Sequence, residues 1–106
     1  MANPPKVGFV AIYRWRIYAD QTDSFLAAWE TVTRGIKAER GGLGSKIHRA
    51  DDGTYVAYAQ WPDRETWQAM GDQPSVDPVA SKAMGAAIEE SLPSLYLDPL
   101  ADLLEH

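Results

Sequence analysis

The chain predicts an α+β fold of the ferredoxin-like kind, with elements in the order strand–helix–strand–strand–helix–strand around one antiparallel sheet. Three observations predict it. Apolar and aromatic residues alternate through residues 7–18, an apolar stripe at helical spacing follows in 25–36, and an Asp51-Asp52-Gly53 turn joins two more alternating runs.

Each element has its own signal. On the first strand Phe9, Ala11, Tyr13, Trp15 and Ile17 share a face, with Val10 and Ile12 opposite them before Arg14 and Arg16. Asp20 is placed to cap the next helix, with Asp23 in its first turn favouring the positive end of the dipole. Phe25, Trp29, Val32 and Ile36 then recur at spacings of four, three and four, and Glu30, Arg34 and Lys37 take the wet side. Gly41-Gly42 ends the helix. A second strand is expected over 43–49 and a third, antiparallel to it, over 54–61. Pro62 stops that ladder, and Asp63 caps a short helix carrying Trp67 and Met70. After a break at 71–78, the stripe Val79, Ala80, Ala83, Met84, Ala87 and Ile88 predicts a third helix. Pro93 is expected to end it, leaving a short last strand at 95–97 closed by Pro99.

With 106 residues the chain makes one domain, read as residues 6–99, and a tail at 100–106. Residues 104–106 look like the start of an expression tag. A net charge of −5 with no basic run argues against nucleic-acid or anionic-membrane partners. No cysteine is present, which excludes disulfides and thiolate chemistry. No apolar stretch approaches the ~20 residues of a membrane span, so a cytoplasmic protein is expected.

The third strand bears on assembly. Val56 and Tyr58 oppose Ala57, Ala59 and Trp61, so neither of its faces is charged, and a strand apolar on both sides needs cover on both. Right-handed crossovers put every helix on one face of the sheet. The other face would present more apolar surface than monomers usually show. A homodimer with two sheets face to face is therefore expected, a self-complementary contact. The competing expectation is that the tail, residues 100–103, folds over that face.

Candidate chemistry is sparse. The face with Ala57, Ala59 and Trp61 looks under the helices, where Ala80, Ala83, Met84 and Ala87 can meet it, with Trp29 and Trp67 nearby. So many small residues either let helix and sheet close together, the commoner outcome, or leave a cavity. Trp61 reads equally as rim or as pocket wall, and Trp29 as part of the core stripe. Tyr13 and Tyr58 can each donate a hydrogen bond. His48, beside the Asp51-Asp52 turn, reads first as an exposed or dimer-face residue. Arg14 and Arg16 read as pairing across a dimer before binding an acidic substrate. Residues 41–46 only superficially suggest a phosphate loop, because they lead from helix to strand and not the reverse. No metal-ligand spacing and no nucleophile elbow occurs.

The stretch Val7-Gly8-Phe9-Val10-Ala11-Ile12, the helix with Phe25 and Trp29, Gly42-Leu43-Gly44-Ser45, the Asp-Asp-Gly hairpin and the strand end Tyr58-Ala59-Gln60-Trp61 together resemble the antibiotic biosynthesis monooxygenase family, within the dimeric α+β barrel superfamily. The resemblance spans roughly residues 6–97. It implies two protomers back to back, each with a pocket between sheet and helices. It also implies, for some members, oxidation of aromatic polyketides to quinones by oxygen without metal or flavin; others degrade haem. Two departures stand out. Quinone-forming members carry an asparagine where this chain has Ala57, although Trp61 is kept. Haem-degrading members pair a first-strand asparagine, near Tyr13 here, with a third-strand tryptophan and a histidine on the later helix, and this chain has no histidine between His48 and His106. The reading is thus a cofactor-independent monooxygenase of a phenol, partnered by a second copy and a small aromatic ligand. Trp61, Tyr13 and His48 are its catalytic candidates, and Trp67, Ala57, Trp29 and Met84 its substrate-binding ones. A non-catalytic barrel holding an apolar ligand is the alternative, and haem degradation a third reading.

Overall fold

A computed structural model describes residues 6–104. Four strands, β1 (Phe9–Ile17), β2 (Gly44–Arg49), β3 (Tyr55–Trp61) and β4 (Ile88–Leu97), form one antiparallel sheet in the order β2-β3-β1-β4. Helices α1 (Thr22–Glu39), α2 (Arg64–Gly71) and α3 (Pro78–Ala87) complete the ferredoxin-like fold. The register pairs Phe9 with Trp61, Ala11 with Ala59 and Tyr13 with Ala57, so these residues share the face beneath the helices. Phe9, Ala11 and Trp61 form a buried cluster there; Phe25 of α1 is also fully buried, and its ring meets Trp15 edge-on at 5.4 Å.

Local chemistry sets the boundaries. The β2–β3 hairpin turns on Gly53, whose φ of 86° suits glycine, and the Asp52 carboxylate accepts from both the Thr54 amide and its hydroxyl. Asp63 caps α2 by accepting from the Thr66 amide at 2.7 Å, and Asp77 caps α3 by accepting from Ala80 at 3.0 Å, with Pro78 opening that helix. Asp20 caps nothing. It lies in a 3-10 turn, Ala19–Gln21, and α1 starts one residue later behind Gln21, which makes no side-chain cap.

The last element differs most from expectation. α3 ends at Ala87, six residues before Pro93, and the ten residues Ile88–Leu97 all belong to β4. The ladder between β1 and β4 slips between Ile12 and Arg14, where β4 carries an extra residue opposite, and Pro93 sits in that bulge. An edge strand tolerates proline there because the missing N–H has no ladder bond to make. On α3, Ala80 and Ala87 are buried, but Val79 is 81% exposed and Ala83 also faces solvent, so the inward stripe is narrower than the pattern implies.

The second sheet face carries Ile12, Val56 and Tyr58, half-buried, and Leu95 and Leu97, 53% and 40% exposed. Arg16 pairs with Glu90 of the neighbouring strand at 3.0 Å. The tail does not roof this face: Leu100 and Leu103 are 96% and 97% exposed. Glu105 and His106, read above as tag residues, lie outside the described residues. No helix among the described residues is long and apolar enough to cross a membrane.

Candidate functional site

A cavity of about 220 Å³ opens between the sheet and the helices, and its walls are almost wholly apolar. β1 contributes Tyr13 and Trp15, and β3 contributes Ala57, Ala59 and Trp61. α1 adds Trp29, Val32 and Ile36, while α2 and α3 add Met70 and Met84. Strand alternation puts Tyr13, Trp15, Ala57 and Trp61 on one surface, and the methyl groups of Ala57 and Ala59 leave depth under α1 that larger residues would fill. Gly42 preserves that space at one end, since a Cβ there would come within 3.0 Å of Ile36 and 3.5 Å of Trp61.

Tyr13 is the polar feature of the β1 wall. Its hydroxyl accepts a hydrogen bond from Trp67 Nε1 at 2.8 Å. The Trp67 ring is in turn held between Phe9, at 5.0 Å, and Tyr96, at 4.8 Å. With a lone pair engaged, the Tyr13 proton is left to donate elsewhere. Burial raises the Tyr13 pKa above the usual tyrosine value; the Trp67 bond lowers it in part, and Tyr96 adds to the rise. At neutral pH Tyr13 is therefore a neutral donor. Trp61, 2% exposed, has a buried indole N–H with no hydrogen-bond partner among the described residues. A buried donor without a partner is uncommon and costly.

The candidates divide clearly. Tyr13, Trp61, Ala57, Trp29 and Met84 meet around one space. Trp29 is a half-buried wall and not part of a sealed core. Trp67, expected to meet the substrate, does not line the cavity; it stands behind Tyr13 and donates a hydrogen bond to its hydroxyl. His48 does not line the cavity. Ile47 pairs with Ala57 on the helix side, so His48 points to the opposite face, where it is exposed and its Nδ1 lies 3.2 Å from the Val56 carbonyl. Trp15, Met70, Thr33 and Ser45 also line the cavity and had not been singled out. Trp15 was legible, as it shares strand parity with Tyr13, and so was Ser45, which pairs with Ala59 on the helix side as Ile47 does with Ala57. Among the described residues, no group of three or more His, Cys, Asp or Glu side chains is placed to hold a metal ion.

A ferredoxin-like sheet whose helices cover an apolar, tryptophan-walled cavity defines a class of small α+β proteins with a pocket between sheet and helices. The family model for antibiotic biosynthesis monooxygenases matches residues 8–77, well over half the chain, and the protein belongs to that family. Among solved structures it is similar to SnoaB, a cofactor-independent oxygenase from Streptomyces nogalater (17% identity, 94% of this chain and 100% of that one, TM-score 0.75). It is also similar to the monooxygenase from the ActVA-Orf6 gene of Streptomyces coelicolor, solved with nanaomycin D (24% identity, 98% and 97% covered, TM-score 0.70). Rv0793 from Mycobacterium tuberculosis shows the same fold (16% identity, 91% and 98% covered, TM-score 0.70). At these identities the structural likeness establishes the fold alone. A search of curated proteins gave no significant match.

Proposed function

We propose that the protein is a cofactor-independent monooxygenase that oxidises an aromatic phenol with molecular oxygen. The observation carrying this reading is the apolar cavity that brings Tyr13, held by Trp67, together with Trp15, Trp29 and Trp61. Family membership and the activities named for SnoaB and the ActVA-Orf6 enzyme support it. An engineered cavity of roughly 150 Å³ binds benzene, so 220 Å³ suits a substituted single ring or two fused rings, with any further ring lying in the open mouth.

The chemistry asked of such a site is limited. An ionised phenol is electron-rich enough to pass an electron to oxygen; recombination at the ring carbon gives a hydroperoxide, which loses water to leave a carbonyl. Overall a C–H and an O–H of the phenol and one O₂ become a quinone and one water. The aromatic walls exclude bulk water and hold the ring flat. Tyr13, neutral and half-buried, donates to the substrate oxygen or to the departing peroxide oxygen. Among the described residues no carboxylate or imidazole lines the cavity, so the phenol ionises by its own acidity, its proton passing to water at the open mouth. The same absence leaves the haem reading without an axial histidine.

The test is oxygen uptake with a panel of anthrone-like and naphthol-like phenols, with no metal or flavin added and a chelator present. One O₂ consumed per carbonyl formed is expected. Tight binding of these phenols with no uptake would sink this reading in favour of a ligand-binding barrel, the second reading, which Ala57 favours because it puts a methyl group where a polar residue would help.

We also infer that two copies pair through the open sheet face. The exposure of Leu95 and Leu97, and a tail that leaves this face uncovered, support that contact.

A further inference from the structure

A second cavity, of about 210 Å³, lies between the end of α1, the α2–α3 connection and the start of α3. Its lining is unlike that of the first. Arg40, Gln73, Ser75 and Ser81 face it, and Arg40 is the single charged residue among them. The two cavities share Val32, Ile36 and Met70, so a partition one side chain thick separates them, and Met70 is its unbranched, adaptable member.

Arg40 is held in place without being neutralised. Its Nη1 donates to the Glu39 carbonyl at 3.2 Å and its Nη2 to the Pro74 carbonyl at 3.0 Å. Nε is buried with no hydrogen-bond partner, and Arg40 makes no ion pair among the described residues. The connection it grips is itself seated on α1: Val76 occupies the notch left by Gly35, where a Cβ would come within 2.7 Å of Val76 Cγ2. In an acidic chain, a fixed guanidinium with spare N–H groups, beside the Gln73 amide and the Ser75–Ser81 hydroxyl pair, which leaves one O–H proton to donate, is complementary to an oxyanion.

We infer that this second cavity is a subsite for a carboxylate carried on a short arm of the aromatic ligand, with Arg40 its counter-charge and Met70 yielding to let the arm through. The inference deepens the proposed function and rests on the first cavity holding the ring. It narrows the substrate class to aromatic acids. Arg40 acts here as a binding and specificity residue, remote from the ring that reacts.

The experiment compares naphthalene-2-acetate with naphthalene-2-acetamide, equal in shape and differing in charge, by isothermal titration calorimetry at pH 7. The acid is expected to bind about tenfold more tightly than the amide, the worth of one hydrogen bond to a charged group. Arg40→Gln should bring the acid down to the amide's affinity and leave the amide unchanged. Equal affinities for wild-type protein overturn the inference while leaving the ring site standing, and need no variant should Arg40→Gln fail to fold. Binding of neither compound overturns the ring site and the inference together. Acetate alone is the third titrant: Arg40-dependent binding of acetate, with no advantage for the ring-borne acid, means an isolated anion site and overturns the link between the cavities.

Discussion

The role proposed for Tyr13 rests on a single hydrogen bond. Its partner Trp67 can only donate, so the Tyr13 hydroxyl must use its own proton on something else. Tyr13→Phe should lower turnover by about 100-fold, the low end for a positioned proton donor, with KM much less affected. Trp67→Phe keeps the ring between Phe9 and Tyr96 but removes the bond that lowers the Tyr13 pKa. Absorbance titration should then show Tyr13 ionising at higher pH than in wild type; an unchanged midpoint would mean that the bond does not tune it. The sign for stability also follows. A tyrosine pKa raised by folding contributes stability that is whole below about pH 10, its unfolded value, and is lost as pH climbs through the folded one. At this scale the strand parity of Tyr13, Ala57 and Trp61 was readable from alternation alone, and so was the opposite parity of His48 to Ile47. The Tyr13–Trp67 bond was not, because residues 54 apart in sequence meet only through the packing of α2 on the sheet.

At the scale of elements, caps decide where the cavity's helical walls begin. Asp77 fixes the start of α3 and so the position of Met84 two turns on. Asp77→Ala should cost about 1 kcal/mol and lower the melting temperature by roughly 4–8 °C, measured by circular dichroism; no change would mean that Pro78 alone sets the helix start. The caps at Asp63 and Asp77 show why some elements were legible and others were not. Asp63, after a proline stop, was recognisable, and its side chain reaches the third amide as a cap should. Asp20 offered the same carboxylate between a strand and an apolar helical stripe, but no proline precedes it, and a 3-10 turn intervenes and delays α1 by a residue. Pro93 misled for a related reason. Proline stops helices and central strands alike, and only the long-range pairing of β4 with β1 shows that it occupies a bulge on an edge.

For the whole molecule, two apolar surfaces need cover, and one chain covers one of them. The helices roof the cavity face; a second copy is proposed for the other. Light scattering should give twice the 11.7 kDa of the chain, and Ile12→Glu, which puts a charge in that face, should give the monomer without lowering helix content. A wild-type monomer at micromolar concentration would contradict the pairing. The most direct measurement of the central claim, that the space between sheet and helices is the ligand site, uses the chain's four tryptophans. Titration with 1-naphthol, followed through the indole N–H resonances by ¹H–¹⁵N NMR, should move those of Trp29 and Trp61, which wall the cavity from α1 and β3. Saturable binding that leaves both in place would contradict it.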